Sequence, residues 1–435
     1  MLETVKNAFK VKDIRNKLLF TLLMLVIVRL GSQLPVPGTD RAYFANWFAK
    51  QSSDAYGVLN AFTGGSFERM SVFALNITPY ITSSIIMQLL TIAIPKLEEM
   101  QKDGEDGRKK IATITRYVTV GLALFESTAM AIGFGRQGLL EEYNALNVIT
   151  VITALTAGSA FLMWIGEQIT EYGVGNGISI VLTINIIASM PQDFTSLYGQ
   201  FVKGKSFATG FLAFAIMIAV VLGTVILTVI LNGAERRIPV QYAKKIQGRK
   251  TYGGQSSHIP LKVNTGGVIP IIFASSIMQL PVIISSFTTI RNAGWNTFLR
   301  IMSSSNWFKP ADWVPSIGAI IYIVLVIFFA YFYTSITFNP IEVADNMKKS
   351  GGFVPGIRPG KPTSDYLNKI LNYIIFIGAI GLLIVALVPI VCNGLFGASV
   401  SFGGTSLIII VSVILETMKQ VESLMMVRSY KGFLN

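Results

Sequence analysis

Long apolar runs separated by short polar connections dominate the chain. Ten of them, near 18–34, 77–94, 111–134, 148–165, 178–190, 211–231, 268–287, 317–338, 370–391 and 405–418, predict membrane-spanning segments. None carries the strict alternation of a barrel strand. In hydrocarbon every backbone amide needs a partner inside its own span, so continuous helices are expected. The fifth and tenth runs are shorter than a lipid-facing helix needs, which predicts that neighbours or a water-filled cavity cover their ends. Ahead of the first run, Leu2, Val5 and Phe9 share one helical face while Lys6, Lys10 and Lys12 lie elsewhere. That spacing suits a helix on the inner leaflet, and equally a frayed basic tail.

Composition agrees with the pattern. Of 435 residues 52% are hydrophobic and 14% charged, against roughly 25% charged in a soluble chain. One cysteine, Cys392, rules out an internal disulfide, and one histidine, His258, leaves little for zinc or imidazole catalysis. The basic N-terminus runs into the first apolar stretch without a small-residue cleavage site, so it reads as a retained span. Lys and Arg exceed Asp and Glu by 36 to 23. With the N-terminus inside, 26 of those basic residues fall in inner segments and 9 in outer ones, which orients both termini toward the cytoplasm. The short loops around the fifth run go the other way, with Lys203 and Lys205 outside.

Ten spans divide into two sets of five. An odd number per set would invert the second half relative to the first, about an axis in the membrane plane. The expected organisation is an N-terminal half over 1–200 and a C-terminal half over 201–435, the latter with large inner loops near 233–266 and 338–369. The fold class is all-α, a membrane protein of ten helices in two inverted halves.

Little in the chain looks catalytic. Gly199, Gly204, Lys205 and Ser206 match a P-loop string, yet they follow an apolar helix in an outer loop, where a P-loop needs a preceding strand and a second acidic strand for magnesium. Gly173, Gly175 and Gly177 follow a helix and read as a tight inner turn. No nucleophile with a base, paired acids or HExxH string lies within the spans. No enzyme, cofactor or metal site is expected. The inner loops, by contrast, interleave their charges (Arg236, Arg237, Lys244, Lys245, Arg249, Lys250; then Lys348, Lys349, Arg358, Lys361) with turn-forming and apolar residues. This predicts ordered docking surfaces; contact with anionic lipid is the simpler alternative. The segment FTGGSFERMSVFALNITPYI from Phe62 reads as a short half-apolar helix leading through Asn76 and Pro79 into the second span, the kind of break tolerated where it lines a cavity. Gln88 and Glu126 are polar groups at membrane depth that should face the bundle interior.

Several of these strings together resemble the SecY family, the channel-forming subunits of the bacterial Sec protein translocase. They are RLGSQLPVPG from Arg29, the broken segment from Phe62 to Ile81, WIGEQITEYGVGNGIS from Trp164, GGQSSHIPLKVN from Gly253, GGVIPIIFASS from Gly266, FNPIEVADNMKKSGGFVPGIRPGK from Phe338 and FGGTSL from Phe402. The resemblance implies an hourglass with a waist ring of Ile77, Ile81, Ile178, Leu182, Ile272 and Ile409, leucine replacing the more usual isoleucine at 182. It implies a plug near 62–72 that includes Phe62, Thr63, Gly64, Gly65, Ser66, Phe67 and Arg69. A lateral gate would lie between spans 2 and 3 and spans 7 and 8, near Gln88, Glu126, Ser275 and Ser276. The implied partners are SecE and SecG, the SecA motor ATPase, the ribosome through its rRNA phosphates, and signal peptides, nascent chains and membrane lipids. The basic residues of both inner loops would receive the motor or the ribosome. The implied function is a protein-conducting channel of the bacterial plasma membrane, passing unfolded polypeptides and releasing transmembrane segments sideways. The competing reading, a multi-pass secondary transporter of a small solute, would need a charged midplane site.

Overall fold

A computed structural model describes residues 6, 8–40, 43, 44, 46, 63–135, 138, 140, 142–203, 207–242, 245–247, 250–252, 256–287, 293–310, 312–396 and 404–431. Helices occupy all ten predicted runs: α1 (Lys12–Gly31), α2 (Thr78–Ala93), α4 (Glu105–Gly135), α5 (Ala145–Tyr172), α6 (Gly177–Phe201), α7 (Phe207–Gly233), α8 (Ile269–Phe287), α10 (Ile317–Thr337), α12 (Lys361–Phe396) and α13 (Gly404–Lys431). Shorter helices are α3 (Pro95–Lys102), α9 (Ala293–Met302) and α11 (Pro340–Lys349). Among the described residues six helices are long and apolar enough to cross a membrane, or seven when α2 and α3, bent by 106° at Ile94, count as one broken span. Multiple membrane crossings follow from their length, since backbone groups satisfied within each helix are what hydrocarbon tolerates.

The two short runs are the apolar parts of longer helices. The helix built on 178–190 continues to Phe201, with Pro191 inside it, and the one built on 405–418 continues to Lys431. Hydropathy falls where a helix leaves its apolar surroundings, but the backbone ladder need not stop there. The first long helix begins at Lys12; ahead of it Lys6 and residues 8–10 are also helical, and this segment packs on protein. Ala8 and Ile14 are buried against Val174 and Val421, while Leu2 and Val5 lie outside the described residues.

Within the first half, α1 packs on α5 and α6, α2 on α4, and α4 on α5. In the second half α8 packs on α10, α12 on α10 and α13, and α7 on α12 and α13. The halves meet along two seams, one where α4 touches α8 and one where α6 touches α13 and α7. Position 200 falls in the last turn of α6. Each half has its own core: Val36, Phe44, Phe67, Phe134 and Leu155 in one, Ile271, Phe273, Trp307, Phe329 and Ala386 in the other.

The basic loops fold into a small sheet that the spans do not hint at. Strand β1 (Glu235–Tyr242) pairs antiparallel with β4 (Ser256–Lys262), Ile238 opposite Ile259, and the hairpin extends through β2 (Lys245–Gln247) and β3 (Lys250–Tyr252). The second loop then adds β5 (Gly352–Phe353) to the free edge of β1, with Gln241 opposite Phe353. Alternation places Ile238 and Val240 inward, where they form one core with Leu261, Met347, Val354 and Leu367.

Candidate channel constriction and docking surfaces

An aliphatic cluster forms where helices of both halves converge. Leu182 and Ile409, 7% and 1% exposed, share a buried cluster with Ile186, Ile410 and Val413, and the partly buried Ile81 and Ile272 pack against it. Four of the six residues expected in the ring therefore come from four different helices, α2, α6, α8 and α13, into one aliphatic contact. Ile77 and Ile178 do not join it. They pack in the adjoining cluster with Val28, Leu162 and Ile165, joined to the first through Ile81 and Ile180. Ile178 is drawn there because Gly166 leaves room: a methyl on that glycine would lie 2.4 Å from Ile178 Cδ1. Sequence reasoning missed Ile186 and Val413. Both lie one helical turn beyond a predicted ring residue, a spacing that could have found them.

The segment named as a plug is not a helix. After Thr63 the chain runs through turns to Met70, with Gly64, Gly65 and Met70 at positive φ. Two consecutive left-handed glycines cannot continue a right-handed helix. Phe62 lies outside the described residues. Thr63, Ser66 and Phe67 are buried and Arg69 is exposed, its guanidinium hydrogen-bonded to Gln33. Phe67 packs edge-on against Phe44 and Phe134. Beneath the segment Arg29 Nη1 donates to Asn185 Oδ1 at 3.4 Å, and Asn185 Nδ2 donates to Asn76 Oδ1 at 3.0 Å.

Gly64 packs closely on α6. With φ at +63°, a Cβ there would lie 2.6 Å from the backbone oxygen of Asn185. We expect Gly64→Ala to displace the segment and to cost about 1–3 kcal/mol in strain. The readout is a raised resting ion conductance in planar bilayers; conductance at the wild-type level would show that the segment does not seal the bundle.

Gln88, Glu126, Ser275 and Ser276 are half-buried. They line helices on the two sides of the α4–α8 seam, where Ile85 of α2 also reaches the core of the second half. On the first side, buried Ser83 of α2 hydrogen-bonds to Thr119 and to the Thr115 oxygen of α4, so these helices form one wall. Among the described residues no hydrogen bond joins the four polar groups to one another, which leaves the seam a packing contact.

The first basic loop presents charge from the sheet, and the second from the turn and helices beside it. Arg236 and Arg237 are exposed on β1, and Arg237 donates to Glu235 at 2.7 Å. That hydrogen bond holds the Glu235 carboxyl below the usual carboxylate range. Lys245 and Lys250 fall on β2 and β3, whereas Lys244 and Arg249 lie outside the described residues. Arg358 stands exposed on a loop between Gly356 and Gly360, both at positive φ. Its backbone oxygen accepts from Thr363 Oγ1 at 2.8 Å, and Val354 anchors the loop in the shared core; exposed Lys361 follows at the start of α12.

Two helical halves meeting at an aliphatic constriction, with a turn-rich segment packed in one half and basic sheets at one end, define a membrane channel of the protein-conducting architecture. The SecY family model matches residues 71–418, and the chain belongs to the SecY family. It is 45% identical, over 100% of both chains, to the protein translocase subunit SecY of Streptomyces scabiei. It shares its fold with a SecY protein whose plug domain stabilises the closed state and maintains a membrane seal, at TM-score 0.62 and 18% identity over 94% of this chain and 92% of that one. Sec61 from a canine ribosome–channel complex of the endoplasmic reticulum aligns at TM-score 0.58 and 18% identity, with the same coverage.

Proposed function

We propose that this chain is the conducting subunit of a protein translocase in the bacterial plasma membrane, passing unfolded secretory polypeptides and releasing transmembrane segments into lipid. The observation that carries the reading is the contact of Ile81, Leu182, Ile272 and Ile409 between the halves. An aliphatic constriction dewets and stops ions at rest, yet can close around an extended chain of any sequence without binding it tightly. A solute transporter would instead place charge there. All ten long helices cross the membrane in this reading, with both termini cytoplasmic.

Sorting occurs at the α4–α8 seam. A segment that reaches it partitions by its own hydropathy, each leucine favouring lipid by roughly 0.3–0.6 kcal/mol and each central charge opposing it by roughly 2.5–3.5 kcal/mol. Ile77 and Ile178 extend the waist toward α1 and α5, and the 63–70 segment is its seal. The chain itself has no catalytic role. A SecA-type motor or a ribosome docked on the β1–β4 hairpin and the Arg358 loop supplies the work, with SecE and SecG as further subunits. A ribosome held through rRNA phosphates releases counterions, so its affinity should fall as salt rises.

The test is photo-crosslinking from Ile81, Ile272 and Ile409 in vesicles holding the motor, ATP and a precursor stalled by a folded C-terminal domain. Adducts that need ATP are expected at all three positions. Their absence, while the same vesicles still import the precursor, would place the path elsewhere.

A further inference from the structure

The two roots of the basic hairpin meet a waist helix at one side chain. Asn232, in the last turn of α7, donates from Nδ2 to Ser412 Oγ at 2.8 Å and accepts at Oδ1 from Asn264 Nδ2 at 2.8 Å. Asn232 stands just ahead of β1 and Asn264 just beyond β4. Beside them Val263 N–H donates to the Ala234 oxygen at 2.9 Å, closing the hairpin at its base. Ser412 lies on α13 one turn past Ile409 and next to Val413, both of the waist cluster. From Asn264 the chain passes into α8 through Val268, and Val268 and Ile272 pack on that same cluster.

Asn264 is buried, and Asn232 and Ser412 are half-buried. The Asn232 amide bridges the two neighbours, its nitrogen toward α13 and its oxygen toward the base of the hairpin. Side-chain hydrogen bonds between helices are among the few directional forces inside a bilayer, because apolar packing against a neighbour differs little from packing against lipid. Here they fix α13 and the start of α8 against the base of the sheet.

We propose that Asn232, Asn264 and Ser412 are positioning residues that hold the waist closed in register with the docking sheet. The inference rests on the reading of the chain as a channel. A shift of the hairpin base reaches α13 through Asn232 and α8 through Asn264, so that Ile409 and Ile272 move together. Cutting the node lets the two helices settle independently, and the constriction loses its close contact.

The test is resting ion flux in proteoliposomes that hold the whole translocase. Asn232→Ala and Ser412→Ala are each expected to raise flux about three- to tenfold, the range one interhelical hydrogen bond supports. The double variant should rise no further than the larger single one, since both remove the same bond, and Ser412→Thr, which keeps the hydroxyl, should retain wild-type flux. Additive effects, flux unmoved by either alanine variant, or Ser412→Thr as leaky as Ser412→Ala would each overturn the proposal. Ser412→Ala, a near-isosteric change, covers the case in which Asn232→Ala fails to assemble. Precursor import by the wild-type vesicles reports on the channel reading separately: import with flux unmoved by the variants rejects the node alone, and absence of import rejects the channel.

Discussion

Arg358→Glu is expected to lower motor-driven translocation about 30-fold or more while leaving the protein folded and assembled. The loop that shows Arg358 is built to be rigid. Gly356 and Gly360 supply the two left-handed turns, Thr363 Oγ1 ties down the Arg358 oxygen, and Val354 and Ile357 seat the loop in the core beneath the sheet. The side chain itself is exposed and contributes nothing to that core, so its reversal should cost little stability. At a docked interface the same change replaces attraction by like-charge repulsion, and losing one partner of a desolvated charge pair costs about 2–5 kcal/mol. The check is ATP-dependent import into vesicles, alongside motor affinity and recovery of the intact complex. Import at the wild-type rate would remove Arg358 from the docking surface, and loss of the complex would recast it as a structural residue.

Ile409→Asn is expected to raise resting ion conductance about tenfold or more. Ile409 is 1% exposed and packs with Leu182, Ile186 and Val413 where α13 meets α6. An amide at that point finds no ready partner in an aliphatic cluster, and burying it unpaired costs about 1–3 kcal/mol. Water entering to satisfy it removes the barrier, because a constriction that blocks ions by dewetting fails once it holds a wetting group. Ile409→Leu, of equal volume, should leave conductance near wild type. Single-channel recording checks both, and a dry, silent Ile409→Asn channel would mean that the ion barrier lies elsewhere in the bundle. The paired comparison separates polarity from packing, which a single variant would not.

Much of the architecture is legible in the chain. Apolar runs locate all ten long helices, since each must satisfy its backbone alone and so each signal is local. The two weakest runs show where this stops. Hydropathy ends near 190 and 418, whereas the helices continue to Phe201 and Lys431, because a ladder of backbone bonds continues into polar surroundings. The segment after Phe62 errs in the other direction. Its half-apolar spacing resembles a helix, but Gly64 and Gly65 take positive φ and turn the chain.

Local pattern in the chain therefore sufficed for the membrane class, the positions of the long helices, the basic loops and, through long motif strings, the family. Each depends on residues near one another in the chain. The tertiary structure alone decided which aliphatic side chains meet. Ile81, Leu182, Ile272 and Ile409 come together from four helices while Ile77 and Ile178 turn to a neighbouring core. It also decided that two separate basic loops join as one sheet through β1 and β5, and that Asn232 links the hairpin to α13. These are contacts between distant positions, set by how whole helices pack, and no local period or spacing encodes them.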